Sequence, residues 1–417
     1  MIKKIIFCLF TFIMIIPNIV LASANSLAMV GGKYYDSLEE AIANAGSDDI
    51  IKLISNVKLT DTLNINKTVN IDLNGNNITG PSRVFEVRGG VLNISGTGVI
   101  RETEPNYGAI AVIGSSDPSD SEYSVVNIGS GVKLEGWSGI FITHDSNKSY
   151  GIVVNLKGDI NAVNDVNGDS GIGVYVNGNI KHMNNAPVVN IGDDVEITST
   201  GNGLYIAGYS TFNIGKAYIE GDESGIGIKS GKLNIDGATV LSEGEDNTPT
   251  EGYNNGIKAS GTAIQIESNS GYAGNIELNI DSGTFRSKDS YAVYEYIGKG
   301  TTSQVDSIDI SGGTFRAEGE KDVFGISDSL KSIHGKFITG GRYTSDPSYY
   351  LKSGYDASLD DDLYVVTSST LRLVSGEGAN TNDFNGVVKI VSIIVILGVA
   401  LALIYLNRST ILSIFKK

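Results

Sequence analysis

The chain has 417 residues, with 31 basic and 47 acidic side chains, a net charge of −16, 52 glycines, only 7 prolines and a single cysteine, Cys8. A charge that negative argues against nucleic acid and anionic lipid as partners. With Cys8 in an N-terminal leader, disulfides cannot stabilise the rest, so stability must come from a core or from repetition.

Met1 to Lys4 supplies a basic start, Ile5 to Leu21 is apolar, and Ala22-Ser23-Ala24 offers small residues for cleavage. Residues 1–24 are therefore expected to be a secretory signal peptide. No Leu-x-x pattern precedes Cys8, so a lipoprotein signal is not expected. Residues 25–47 form the expected N-terminal cap. There, Ser37-Leu38-Glu39-Glu40 has the pattern of a helix capping box, and Leu38, Ala41, Ile42 and Ala45 share one face before Gly46. Such a helix would cover the open end of a strand stack, whose unpaired edges otherwise invite association.

From residue 48 to 367 a signature recurs: an apolar pair around an Asn, then Gly or Asp. It reads VLNISG (91–96), VVNIGS (125–130), VVNLKG (153–158), VVNIGD (188–193), TFNIGK (211–216), KLNIDG (232–237), ELNIDS (277–282) and SIDISG (307–312). The repeated positions are Asn93, Asn127, Asn155, Asn190, Asn213, Asn234 and Asn279, then Asp309, with a shortest spacing of 21 residues. A second run follows after a glycine, as in GAIAVIG (108–114) and GIGVYVNG (171–178), and a third lies between, as in VKLEG (132–136) and VEITS (195–199). Three short alternating strands per repeat, with Gly and Asn at the corners, predict an all-β fold: a right-handed parallel β-helix of about a dozen rungs, roughly 60 Å tall at ~4.8 Å per rung. The repeated asparagines are expected to stack as an amide ladder. A β-sandwich array is the alternative.

The segments GGKYYDSLEEAIANAG (31–46), DDIIKLISNVKLTDTLNINKTVNIDLNGNNITG (48–80) and ITGGRYTSDPSYYLKSGYDA (338–357) resemble the opening and closing of pectate-lyase-like β-helix surface proteins of Gram-positive bacteria. The resemblance spans roughly residues 30 to 370. It implies a fold and an exported location but no particular activity, because lyases, hydrolases, adhesins and stalks share the architecture.

Residues 368–386 are rich in Ser, Gly, Asn and Thr and read as a flexible spacer. Val387 to Leu406 is long and apolar enough for one transmembrane helix. The following residues, 407–417, carry Arg408, Lys416 and Lys417 and are expected to be a cytoplasmic tail. Six basic residues and no acids lie in the two ends. Between them 25 basic side chains face 47 acidic ones, a net of −22. The expected location is the cell membrane, single-pass, with the ectodomain outside.

Individual residues assign no catalytic, cofactor or metal site. His144, His182 and His334 are isolated in sequence and read as surface side chains. Arg286 and Arg316 occupy equivalent places in GTFRS and GTFRA, with Arg342 near one in GGRYT, and are expected to lie over Phe or Tyr on an exposed face. Asp165, Asn167 and Asp169 are spaced like calcium ligands. The loop's glycine falls one place late at Gly171, however, and Val176 stands where Glu is needed, so a solvated turn is expected. Asp360 to Asp362 reads as a hairpin tip, and Trp137 as corner packing. The expected function is a noncatalytic adhesin or envelope component with glycans or other cell-surface ligands as partners. The alternative is a polysaccharide lyase or glycoside hydrolase.

Overall fold

A computed structural model of the chain describes residues 26–114, 123–144, 151–180, 186–249, 259–300 and 302–369. The expected leader, the spacer beyond Ser369, the membrane span and the tail lie outside the described residues. No helix among the described residues is long and apolar enough to cross a membrane.

The described chain is an all-β, parallel-strand solenoid of the β-helix type. Each rung contributes a strand carrying the Asn position, then a second strand, then a third. The first two columns merge into one large sheet, and the third forms a ten-stranded sheet of its own. Merging occurs because residues 231–242 and 276–287 run through the corner as single 12-residue strands. Among the described residues the second column counts eleven strands and the third ten, close to the dozen rungs expected. At ~4.8 Å per rung the stack stands roughly 45 Å tall.

Alternation decides which side chains point inward. In Val91–Ser95, Leu92 and Ile94 are buried while Val91 and Asn93 are half-exposed, and the same phase repeats in 125–128 and 153–156. Parallel register then places like on like, as Ile94 meets Ile128 and Val126 meets Val154. Each fully buried Val, Leu or Ile contributes about 1.5–3 kcal/mol, and the total accumulates rung by rung. Near the C-terminal end the filling turns aromatic: Phe285, Phe315 and Tyr343 stack at 4.7 and 5.1 Å between centroids.

Both ends are closed by antiparallel pairs. At the N-terminus Ala28–Val30 and Lys33–Tyr35 form a hairpin, and Ala28 also pairs with Leu53 of the first rung. Its two-residue turn is Gly31-Gly32, with φ of 55° and 83°, a left-handed pair that glycine adopts without strain. Helix α1 (Leu38–Asn44) follows, its first turn capped by Ser37 Oγ, which accepts from Glu40 N at 3.0 Å. Leu38 and Ala41 are buried beneath it.

At the other end helix α2 (Asp328–His334), which no apolar period announced, buries Leu330. The hairpin Tyr355–Asp360 and Leu363–Ser368 then pairs antiparallel with Arg342–Tyr343 and ends the parallel stack. Its tip is Asp361-Asp362, as expected, and Asp361 takes φ 52°.

Candidate functional site

The Asn column forms as an amide ladder. Asn93 Nδ2 donates to Asn70 Oδ1, and Asn127, Asn155, Asn190, Asn213, Asn234 and Asn279 each donate to the asparagine one rung before, all at 2.6–2.9 Å. Asn70 begins the ladder, one rung earlier than the signature indicated, and its own amide donates to the carbonyls of Ser47 and Asp49. Every amide in the row is oriented alike, so carbonyl oxygens face the C-terminal end. There Asp309 takes the next register position and pairs with Lys352. A shallow trough of about 520 Å³ runs over Asn93, Asn127, Asn155 and Asn190, flanked by Lys157.

The outer face of the third column has a different character. Register aligns Phe141, Tyr175 and Tyr205 on successive rungs. Phe141 and Tyr175 stack at 5.1 Å, Tyr205 tilts against Tyr175 at 5.0 Å, Tyr107 meets Phe141 edge-on, and Trp137 leans on Tyr175 at 5.6 Å. Trp137 Nε1 donates to Ser170 O at 3.0 Å, so this residue packs a corner as expected. Burial, with Tyr272 adding to it, pushes the Tyr175 phenol up to about 12.

Further along the same face Tyr291, Tyr294 and Tyr296 stack at 5.4 and 5.7 Å and wall a cavity of about 550 Å³. Glu295, Asp322 and Lys331 also line it. Glu295 lies in register with the core residues Ile266 and Ile326 and is 2 % exposed. Its Oε2 lies 2.7 Å from His334 Nε2, a polar contact without good hydrogen-bond alignment. Tyr294 Oη donates to Pro249 O and Tyr296 Oη to Glu267, which fixes both rings. Ring faces beside carboxylates in a cavity this size suit a small hydroxyl-rich or cationic ligand.

His144 and His334 are not surface groups. His334 packs against Glu295, and His144 is 8 % exposed, while His182 lies outside the described residues. Sequence distance hid the His334 contact, because the helix that carries it closes the end of the core.

The arginines also differ from expectation. Arg286 and Arg316 are in register, but their aromatic neighbours Phe285 and Phe315 point into the core and the guanidinia point away. Arg286 is bridged by Glu243 and Glu318. Partial burial works against its charge, yet the bonds to Glu318 and Glu243 prevail and raise its pKa further. Arg342 aligns with Thr314, two places before the position the other two share, and pairs with Asp360 at 3.4 Å. None of the three lines the tyrosine cavity.

Residues 165–169 form a turn closed on itself. Asp165 Oδ1 accepts from Asn167 N at 2.7 Å and from Asp169 N at 2.8 Å, and Oδ2 accepts from Asn167 Nδ2. Desolvation opposes the charge, but these hydrogen bonds outweigh it and lower the carboxyl's pKa. Among the described residues no group of three His, Cys, Asp or Glu is placed to hold a metal. Chelation of calcium is therefore expected to leave the thermal midpoint of the purified chain unchanged. A fall of several degrees with EDTA, reversed by calcium, would refute this reading of the turn.

Comparison of the chain with protein-family models, with curated proteins and with solved structures finds no match.

Proposed function

We propose that the chain is a pectate-lyase-like, right-handed parallel β-helix of the bacterial surface. Residues 387–406 anchor it in the membrane, with the ectodomain outside and residues 407–417 inside, and it acts as a noncatalytic adhesin or envelope component. The observation that carries this reading is the unbroken amide ladder from Asn70 to Asn279. A repeat maintained on the outside through eight successive rungs builds a stiff, uniform rod. The arginine best placed to serve as a base is instead held protonated between two carboxylates. A net of −22 between the ends favours neutral or cationic surface ligands over acidic polysaccharide.

A second reading, a polysaccharide-active enzyme, draws on the tyrosine-walled cavity, where Glu295 and Asp322 stand beside stacked rings. Glycoside hydrolysis needs two carboxyl groups flanking a sugar. One experiment separates the two readings. The full-length protein is incubated with plant and microbial glycans, with and without calcium, and both retention and product release are scored. Saturable retention without release, weakened at least tenfold by Tyr294→Ala, is the expected result. Release of unsaturated or reducing sugars would establish the enzyme and overturn the adhesin.

A further inference from the structure

On the outer face of the third column one polar cluster is withdrawn from water. Lys229 directly follows strand Ser224–Ile228, and Glu267 and Asn269 belong to the next rung's strand, Ile264–Asn269. Their exposures are 1 %, 1 % and 0 %. Lys229 Nζ lies 2.7 Å from Glu267 Oε2, while Glu267 Oε1 accepts from Asn269 Nδ2 at 2.6 Å. One carboxylate thus touches both an amine and a carboxamide. The carboxamide oxygen, Asn269 Oδ1, accepts from Gly271 N at 2.9 Å. Tyr296 Oη donates to Glu267 Oε2 at 2.6 Å. The rings of Tyr272 and Tyr205 lie 5.1 and 5.8 Å from Lys229 Nζ and close the cluster to solvent.

We propose that Lys229 and Asn269 become joined by an intramolecular amide bond that forms in the folded chain, with Glu267 as the proton carrier. A buried ion pair must offset a large desolvation cost, whereas a neutral amine and a protonated carboxyl in the same place need not. Desolvation, the largest influence on Lys229, lowers its pKa against the opposing attraction of Glu267. An amine freed of its proton in an apolar pocket is a nucleophile.

The step balances without a co-reactant. Glu267 takes a proton from the Lys229 ammonium, and the amine lone pair attacks Asn269 Cγ. Negative charge develops on Oδ1, where the Gly271 N–H already points, as an oxyanion donor must. Glu267 returns its proton to Nδ2, the Cγ–Nδ2 bond breaks, and nitrogen leaves as ammonia. The attacking nitrogen's remaining excess proton departs with it as ammonium, and Glu267 is again a carboxylate. Nothing is oxidised or reduced. The surrounding tyrosines exclude the water that would otherwise hydrolyse the carboxamide. The product ties two adjacent rungs together in a protein whose only cysteine is Cys8.

The test uses the full-length protein extracted from membranes, denatured, digested with trypsin and analysed by mass spectrometry. The expected species joins residues 217–232, uncut after Lys229, to residues 259–286, with a mass lower by one ammonia than the two peptides together. Glu267→Gln should give the two peptides separately and restore cleavage after Lys229. A wild-type digest containing a free peptide ending at Lys229, with residues 259–286 unlinked, would overturn the proposal whatever the variant does. A cross-link that persists in Glu267→Gln would overturn the role of the carboxylate.

Discussion

Glu102→Ala is expected to destabilise the ectodomain by about 3–4 kcal/mol, because it leaves three main-chain donors, one buried and two partly buried, without partners at ~1–3 kcal/mol each before any relaxation. Glu102 is 3 % exposed. Its Oε1 accepts from Arg83 N at 3.0 Å and Gly108 N at 2.9 Å, and its Oε2 from Trp137 N at 2.9 Å. Those three residues belong to three successive passes of the chain through one corner, so a single carboxylate ties neighbouring rungs together. Glu102→Gln should cost less, since its carbonyl oxygen keeps two of the bonds while its amide nitrogen opposes the Trp137 N–H. Urea unfolding of the two variants beside the parent chain checks the order. A loss below about 1 kcal/mol for Glu102→Ala would mean that water enters and replaces the carboxylate.

Glu102 also shows what a sequence of this kind discloses and what it conceals. Alternation in Gly98–Glu102 buries Ile100 and turns Arg101 outward, so Glu102 returns to the buried phase, and its burial was open to reading. Within RETEP, however, it has the look of a surface charge. The ladder was legible because Asn recurs in one context, and its start at Asn70 was open to the same reading, since TVNID has the Asn-Ile-Asp of ELNIDS. The N-terminal hairpin was not foreseen: Gly31-Gly32 supplies its turn, but Lys33, a charged residue, follows it. Period two, however, states only which face of a strand a side chain takes, not what covers that face. Lys229 is in the outward phase after Ile228, and only the return of residues 270–275, bringing Tyr272 across it, removes it from water. Likewise Glu295 and His334 are 39 positions apart in sequence and meet because α2 closes the core. Contacts made by end caps and inserted turns leave no periodic trace.

Gly173→Ala is expected to be as damaging, at about 3 kcal/mol, for a reason specific to stacked rungs. Gly139, Gly173, Gly203 and Gly225 fall at one register position, between residues paired rung to rung in the third column. A Cβ on Gly173 would lie 2.3 Å from Gly203 O and 2.3 Å from Ile197 Cγ2. The side chain could rotate away, but the carbonyl belongs to the next rung and cannot retreat without lengthening the ladder's hydrogen bonds. The same conflict recurs at Gly203, whose Cβ would meet Gly225 O at 2.7 Å, so relief in one rung is passed to another. Gly168→Ala is the control. Gly168 has φ 92° with open space around it, so alanine there pays only backbone strain of about 1–2 kcal/mol. Thermal melts of the two variants should separate clearly, with Gly173→Ala the lower. Equal losses would mean that conformational freedom, rather than the closeness of adjacent rungs, is what glycine supplies at this corner.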